Sequence, residues 1–424
     1  ANTLADEDGL GTISYQWKRA GTAISGATSS TYTLVQADVG SAITVTASYT
    51  DAQGTAESET SSATSAVANV NDDPTGSVAI SGTATEDQEL SITNTLADED
   101  GLGSFSYVWK RAGTAISGAT SATYTLVQAD VGSTITVTVS YTDGQNTAES
   151  ATSAATSAVA NVNDDPTGSV TISGTATEDQ ELTAANTLAD EDGLGTISYQ
   201  WNRAGTAISG ATSSTYTLVQ ADVGSAITVT ASYTDAQGTA ESVDSSATSA
   251  VANVNDSPTG AVTITGTATE DQTLTASNTL ADEDGLGTIT YTWSNGATGA
   301  SIVLGQSDVG NAITVTASYT DGQNTAESMT SSATSAVANV NDSPTGAVTI
   351  TGTATEDQTL TASDTLADED GLGTITYTWS NGATGASIVL GQSDVGNAIT
   401  VTASYTDAQG TTESVDSSAT SAVA

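Results

Sequence analysis

A tetrapeptide, Asp-Glu-Asp-Gly, begins at Asp6, Asp98, Asp190, Asp282 and Asp368, so one signal returns after 92, 92, 92 and 86 residues. That period is too long for a solenoid, whose units run to roughly 20–50 residues, and it suits a self-contained domain with its own core. The expected domains are 1–70, 71–162, 163–254, 255–340 and 341–424. The six-residue shortening lies between Trp and Asp-Val-Gly, where residues 17–40 of the first copy correspond to the shorter stretch 293–310 of the fourth. A hairpin at one sheet edge is expected to be lost there, and with it every basic residue: Lys18, Arg19, Lys110, Arg111 and Arg203 all sit in that hairpin. Asn2 aligns with Asn94, so the first copy has no counterpart of residues 72–92, and the sequence is expected to be a window on a longer array.

Each copy reads as strands. In residues 42–50, Ile43, Val45, Ala47 and Tyr49 alternate with Thr44, Thr46 and Ser48, a period of two built from strand-favouring residues. The second copy is expected to hold strand A at 76–83, B at 88–96, C at 104–112, a short C′ at 114–118, E at 123–127, F at 134–142 and G at 148–162. Seven short strands imply an all-β, two-sheet sandwich. Residues 15–45 resemble the immunoglobulin fold from strand C to strand F, with Trp17 at the buried strand-C position and Asp38-Val39-Gly40 at the E–F corner. The usual cysteine pair is missing, and Ile43 stands in the neighbourhood of the usual corner tyrosine. Trp17, Trp109, Trp201, Trp293 and Trp379 are expected in the cores, one per copy, rather than on a sugar-stacking platform.

Composition narrows the function. Fifty acidic residues face five basic ones, a formal charge of −45, with no His and no Cys. Nucleic acid is not an expected partner, since phosphates are neutralised by Lys and Arg, and an anionic membrane surface fails on the same count. No apolar run of about 18 residues is present, so no membrane insertion is expected. Without His or Cys, the usual general base and the usual transition-metal ligands are absent. Paired carboxylates could in principle hydrolyse glycosides, but every acidic motif recurs in each copy without a cleft-building insertion, so no enzyme is expected.

The acids cluster between strands, whereas a purely solubilising surface would scatter them over outward strand positions. Strands A, C and E run one way and B and F return, which places the Asn-Asp linker, the B–C loop and the F–G loop at the leading pole of each domain. The A–B loop and the E–F corner lie at the trailing pole, facing the next domain. Expected metal ligands are therefore Asp38, Asn71, Asp72, Asp98, Asp100 and Asp143 at the first junction. At the second they are Glu86, Asp87, Asp130, Asn163, Asp164, Asp190, Asp192 and Asp235. The third has Glu178, Asp179, Asp222, Asn255, Asp256, Asp282, Asp284 and Asp321, and the fourth Glu270, Asp271, Asp308, Asn341, Asp342, Asp368, Asp370 and Asp407. So many carboxylates together repel by several kcal/mol, by order of magnitude, and oxygen ligands in such numbers suit Ca2+ better than Mg2+. An EF-hand is excluded: with Asp6 as loop position one, position twelve is Trp17, not Glu. Plainer readings stay open. Asp-Glu-Asp-Gly also makes a solvated turn, Asp38 and its equivalents could cap the corner, and Asn-Asp-Asp-Pro could be a simple linker.

This sorting resembles cadherin junctions, with their Asn-Asp linker, an Asp-x-Asp in the following B–C loop and acids from the preceding domain. The full motif series, "VND" and "PTG", then "TEDQ", "LADEDGLG", "DVG" and "SYTD", resembles the extender regions of giant RTX-type calcium-dependent bacterial surface adhesins. That resemblance implies a location at the cell surface or in the medium, and a calcium-stiffened rod projecting a distal binding domain in cell adhesion or biofilm. At 30–40 Å per domain, roughly what strands of ten residues imply, five domains would span on the order of 200 Å. The alternative is lateral assembly with other copies of the chain into a fibre, sheath or surface layer. Direct ligand binding by each repeat is weaker, for want of an exposed aromatic cluster.

Overall fold

The computed structural model describes residues 1–424. Two compact units emerge: Ala1–Thr171 with Ala185–Gln200 and Val229–Ser245, and Ile172–Ala184 with Trp201–Thr228 and Ser246–Ala424. The complete second copy lies in the first unit, the complete fourth and fifth in the second.

In the second copy strand A is Val78–Ser81, B Glu89–Asn94, C Ser106–Arg111, C′ Thr114–Ala115, E Thr123–Thr125, F Ile135–Thr142 and G Ala148–Thr152. Strands A, B and E form one antiparallel sheet and G, F, C and C′ the other, which is the immunoglobulin-like arrangement. Alternation sets the register: Trp109 opposes Val137, Tyr107 opposes Val139 and Leu90 opposes Tyr124, so one face of each sheet is apolar. Leu90, Trp109, Leu126, Ile135, Val137 and Val139 are fully buried between the sheets. The indole N–H of Trp109 donates to the Ser121 carbonyl at 2.9 Å, so this polar atom is satisfied inside the core.

Strand G is shorter than the expected 148–162. Beyond Thr152 the hydroxyls of Ser153 and Thr156 accept hydrogen bonds from the Val137 and Ile135 N–H groups, each at 3.0 Å, in place of ladder carbonyls. Such side-chain competition ends regular pairing. The chain then continues to parallel bridges of Val159 with Val131 and Ala160 with Thr85, which bring it to the trailing pole.

The fourth and fifth copies keep the A–B–E sheet, but their second sheet is C–F–G without C′, as the shortened hairpin implies. Their cores repeat Leu274, Trp293, Leu304 and Val315 as Leu360, Trp379, Leu390 and Val401. The first copy supplies only a C′–C–F–G sheet. Trp17 departs from the core expectation: it is only half-buried, stacked on Tyr32 at 5.8 Å, because no A and B strands cover it in residues 1–70. No helix is long and apolar enough to cross a membrane.

Candidate metal centre

The leading pole of each sandwich is held by a small polar scaffold. Asp98, the first acid of its tetrapeptide, accepts the Asp100 N–H at 2.8 Å and the Tyr141 hydroxyl at 2.6 Å. Asp190, Asp282 and Asp368 are fixed alike by the N–H two residues on and by Tyr233, Tyr319 and Tyr405. This local Asx turn is what makes Asp the residue of choice. Burial of the tyrosine hydroxyls and the facing carboxylates push Tyr141 and Tyr233 far above the usual phenol range. The middle Glu99 points to solvent, whereas Asp100 is 4% exposed. Gly103 completes the motif, since a Cβ there would lie 2.0 Å from the Thr142 carbonyl oxygen.

The third acid faces the junction. Carboxylate oxygens of Glu86, Asp164 and Asp192 lie within 4.8 Å of one another. Glu86 comes from the A–B turn of the second copy, Asp164 from the linker and Asp192 from the B–C loop of the third copy. The same grouping joins Glu178, Asp256 and Asp284, and again Glu270, Asp342 and Asp370. Backbone bonds set each trio: the Asp164 N–H donates to Asp192 Oδ2 at 2.9 Å and the Val162 N–H to Glu86 Oε2 at 3.4 Å. Glu86, Glu178 and Glu270 are each 2% exposed. Burial pushes all three above the usual carboxylate range, and the neighbouring acids add to it, outweighing the single backbone N–H on each. Asp164 and Asp256 are likewise raised by burial and then by Asp192 and Asp284.

The first junction differs. Asp72 N–H donates to Asp100 Oδ2 at 2.9 Å, but no glutamate joins them. Asp100 is instead held low by that N–H, with the Asn69 and Gln36 amides assisting against burial.

Other residues expected as ligands fall outside these three groupings. Asp130 lies inside its own sandwich, its Oδ1 2.7 Å from Arg111 Nε and its Oδ2 accepting from Tyr124 and the Val127 N–H. Asp38 and Asp222 pair with Arg19 and Arg203, and in the short copies Asn295 takes the arginine's place against Asp308. These four acids cap the E–F corner because a 3-10 turn there leaves N–H groups to satisfy. Asp87, Asp179 and Asp271 are exposed at left-handed turn positions, φ 61°, 61° and 59°. Asp143, Asp235, Asp321 and Asp407 close the F–G turn, each Oδ1 accepting an N–H four residues on, while each Oδ2 is buried without a partner. Asn71, Asn163, Asn255 and Asn341 donate through Nδ2 to Glu149, Glu241, Glu327 and Glu413 on strand G.

Two residue types were not anticipated. Asn161, Asn253 and Asn339 precede the linker acids, and their Oδ1 atoms are buried with no partner. Gln128, Gln220 and Gln306 begin the E–F corners and carry buried, unpartnered Oε1 atoms. The four-fold recurrence of the asparagine and the five-fold recurrence of the glutamine in the sequence were the available signal, masked because neutral amides do not stand out among acids. Orphaned buried oxygens are rare in proteins, and the trios themselves offer only carboxylate oxygens, the chemistry of a hard cation and not of a transition metal.

No protein-family model matches the sequence, and no curated protein does. Among solved structures, a tetra-tandem repeat in the extending region of a large adhesion protein is 19% identical, with 82% of this chain and 100% of that chain covered and a TM-score of 0.30. A Ca2+-stabilised adhesin that helps an Antarctic bacterium reach out and bind ice is 17% identical over 83% of this chain and 99% of that chain, TM-score 0.31. The ICAM-5 D1–D4 ectodomain fragment is 10% identical over 81% and 98%, TM-score 0.29.

Proposed function

We propose that the chain is a calcium-rigidified extracellular spacer, the stalk of a bacterial surface adhesin in cell adhesion or biofilm. Its domains would be 1–70, 71–162, 163–254, 255–340 and 341–424. The observation that carries this reading is the trio repeated at three successive junctions, each drawing acids from the turn of one copy, the linker and the loop of the next. Ca2+ takes six to eight oxygens. Glu86, Asp164 and Asp192 would hold it, with Asn161 as a neutral donor. A bound cation offsets the repulsion among the three carboxylates and ties three chain segments to one point, which removes hinge freedom and yields a rod.

Lateral assembly is the second reading, favoured by one observation: strand E is a sheet edge, and Val303 and Val389 on it are 66% exposed. Small-angle X-ray scattering of the chain in millimolar Ca2+ and in excess EGTA tests both. The spacer reading expects the maximum dimension and stiffness to fall on chelation. An unchanged profile overturns it, and a cross-section that grows with protein concentration supports assembly.

A further inference from the structure

Gln128 and Asp192 lie 64 residues apart in successive copies, yet Gln128 Nε2 donates to Asp192 Oδ1 at 2.8 Å. The bond recurs from Gln220 to Asp284 at 2.9 Å and from Gln306 to Asp370 at 3.3 Å, and it joins Gln36 to Asp100. The other end of each amide in the three trio-bearing junctions is a buried Oε1 without a donor. The corner reads Gln-Ala-Asp in three copies and Gln-Ser-Asp in two, with Val before the glutamine exchanged for Gly, so glutamine stays while its neighbours change.

A glutamine amide presents a donor on one side and an acceptor on the other, and half a turn about its last side-chain bond exchanges them. Without a cation, the N–H end is the favourable one toward a crowded carboxylate. A cation among the carboxylates reverses that preference, because an N–H donor then competes for the oxygen the ion needs.

From this geometry we propose that Gln128, Gln220 and Gln306 are two-state residues of the junction. Each is a hydrogen-bonded latch across the joint when no cation is present, and a neutral Oε1 ligand when one is bound. The inference rests on the calcium reading and adds a selectivity rule: a neutral fourth side chain keeps the protein's contribution at three negative charges, so a trivalent ion gains less over a divalent one than it would from a fourth carboxylate.

The test is calorimetric titration of the intact chain with Ca2+ and with La3+, alongside melting in EGTA. Q128M/Q220M/Q306M keeps length and removes both amide ends. It should bind Ca2+ roughly tenfold more weakly, the usual scale for losing a group that shapes a metal site, and should melt lower in EGTA through loss of the latch. The corresponding glutamate variant adds a fourth carboxylate and should shift preference toward La3+ by roughly tenfold relative to wild type. Ca2+ affinity within twofold of wild type in the methionine variant overturns the ligand role, and unchanged EGTA melting overturns the latch. A wild-type chain that binds no Ca2+ fails the calcium reading itself, a separate result from either.

Discussion

The molecule contains two kinds of buried acid, and they are neutralised in opposite ways. At the E–F corner each carboxylate is completed by its own sandwich: Asp130 meets Arg111, Tyr124 and the Val127 N–H. Burial tends to raise Asp38, but the Val35 N–H and Arg19 hold it below the usual range. Even the short copies, which lack arginine, supply Asn381 and the Gly391 N–H, and Asp394 is held low by these. At the trios no basic side chain is within reach, and Glu86, Glu178 and Glu270 are driven up by burial and by the aspartates of their own sites. A corner acid is therefore neutralised within its own domain, whereas a junction acid has no basic partner in the chain.

The sharpest way to break this contrast is at the corner. Arg111→Met leaves Asp130 buried beside one tyrosine and backbone N–H groups. Removing one partner of a buried pair costs about 3–5 kcal/mol, and since the Arg111 side chain is 31% exposed, we expect about 2–3 kcal/mol. Asn295→Ala removes an uncharged donor from the Asp308 carboxylate on the exposed side of the corner and should cost about 1 kcal/mol. Calorimetric unfolding distinguishes them. Equal losses would mean that the ion pair adds nothing beyond the shared backbone cap.

At the trios the sign should depend on the solution. Glu86→Gln, Glu178→Gln and Glu270→Gln together remove a buried, repelled charge from each site, so melting in EGTA should rise. Ca2+ affinity should fall by at least about tenfold. Proton linkage gives the same contrast in the unmutated chain. Carboxylates raised in the folded state contribute stability that is full below the ordinary carboxylate range and is lost as pH rises through their raised values. In EGTA the melting temperature should therefore decline as pH rises above the ordinary carboxylate range, whereas in Ca2+, which binds only the deprotonated ligands, it should climb. Parallel pH curves with and without Ca2+ would remove the trios from the argument.

The strands, the core Trp109 and the lost hairpin were legible because period-two alternation and repeat alignment report burial directly. That the third acid of the later three tetrapeptides meets the preceding A–B glutamate was legible too. What sequence position could not resolve was direction. Asp98 and Asp100 are two residues apart and look equivalent, but a tyrosine 43 residues away captures the first and leaves the second for the junction. Asp130 looks like a pole acid until Arg111 is seen 2.7 Å from it. Within the linker, alternation also decides: Asn161 lies near the trio segment whose Val162 N–H binds Glu86, and Asn163, two residues on, reaches strand G instead.

That last difference gives the smallest and most discriminating expectation. Asn163 Nδ2 donates to Glu241 Oε1 at 2.9 Å on an exposed surface, so Asn163→Ala should cost about 0.5 kcal/mol of stability and leave Ca2+ affinity within about twofold. Asn161→Ala removes a buried oxygen that has no partner in the protein, so it should leave EGTA melting nearly unchanged and weaken Ca2+ binding by several-fold or more. Both residues are asparagines of the same linker, and a motif-based reading favours Asn163. If calorimetric titration finds the affinity loss at Asn163 and none at Asn161, the linker presents its other face to the cation, and the neutral part of the ligand set must be redrawn around the Asn-Asp pair.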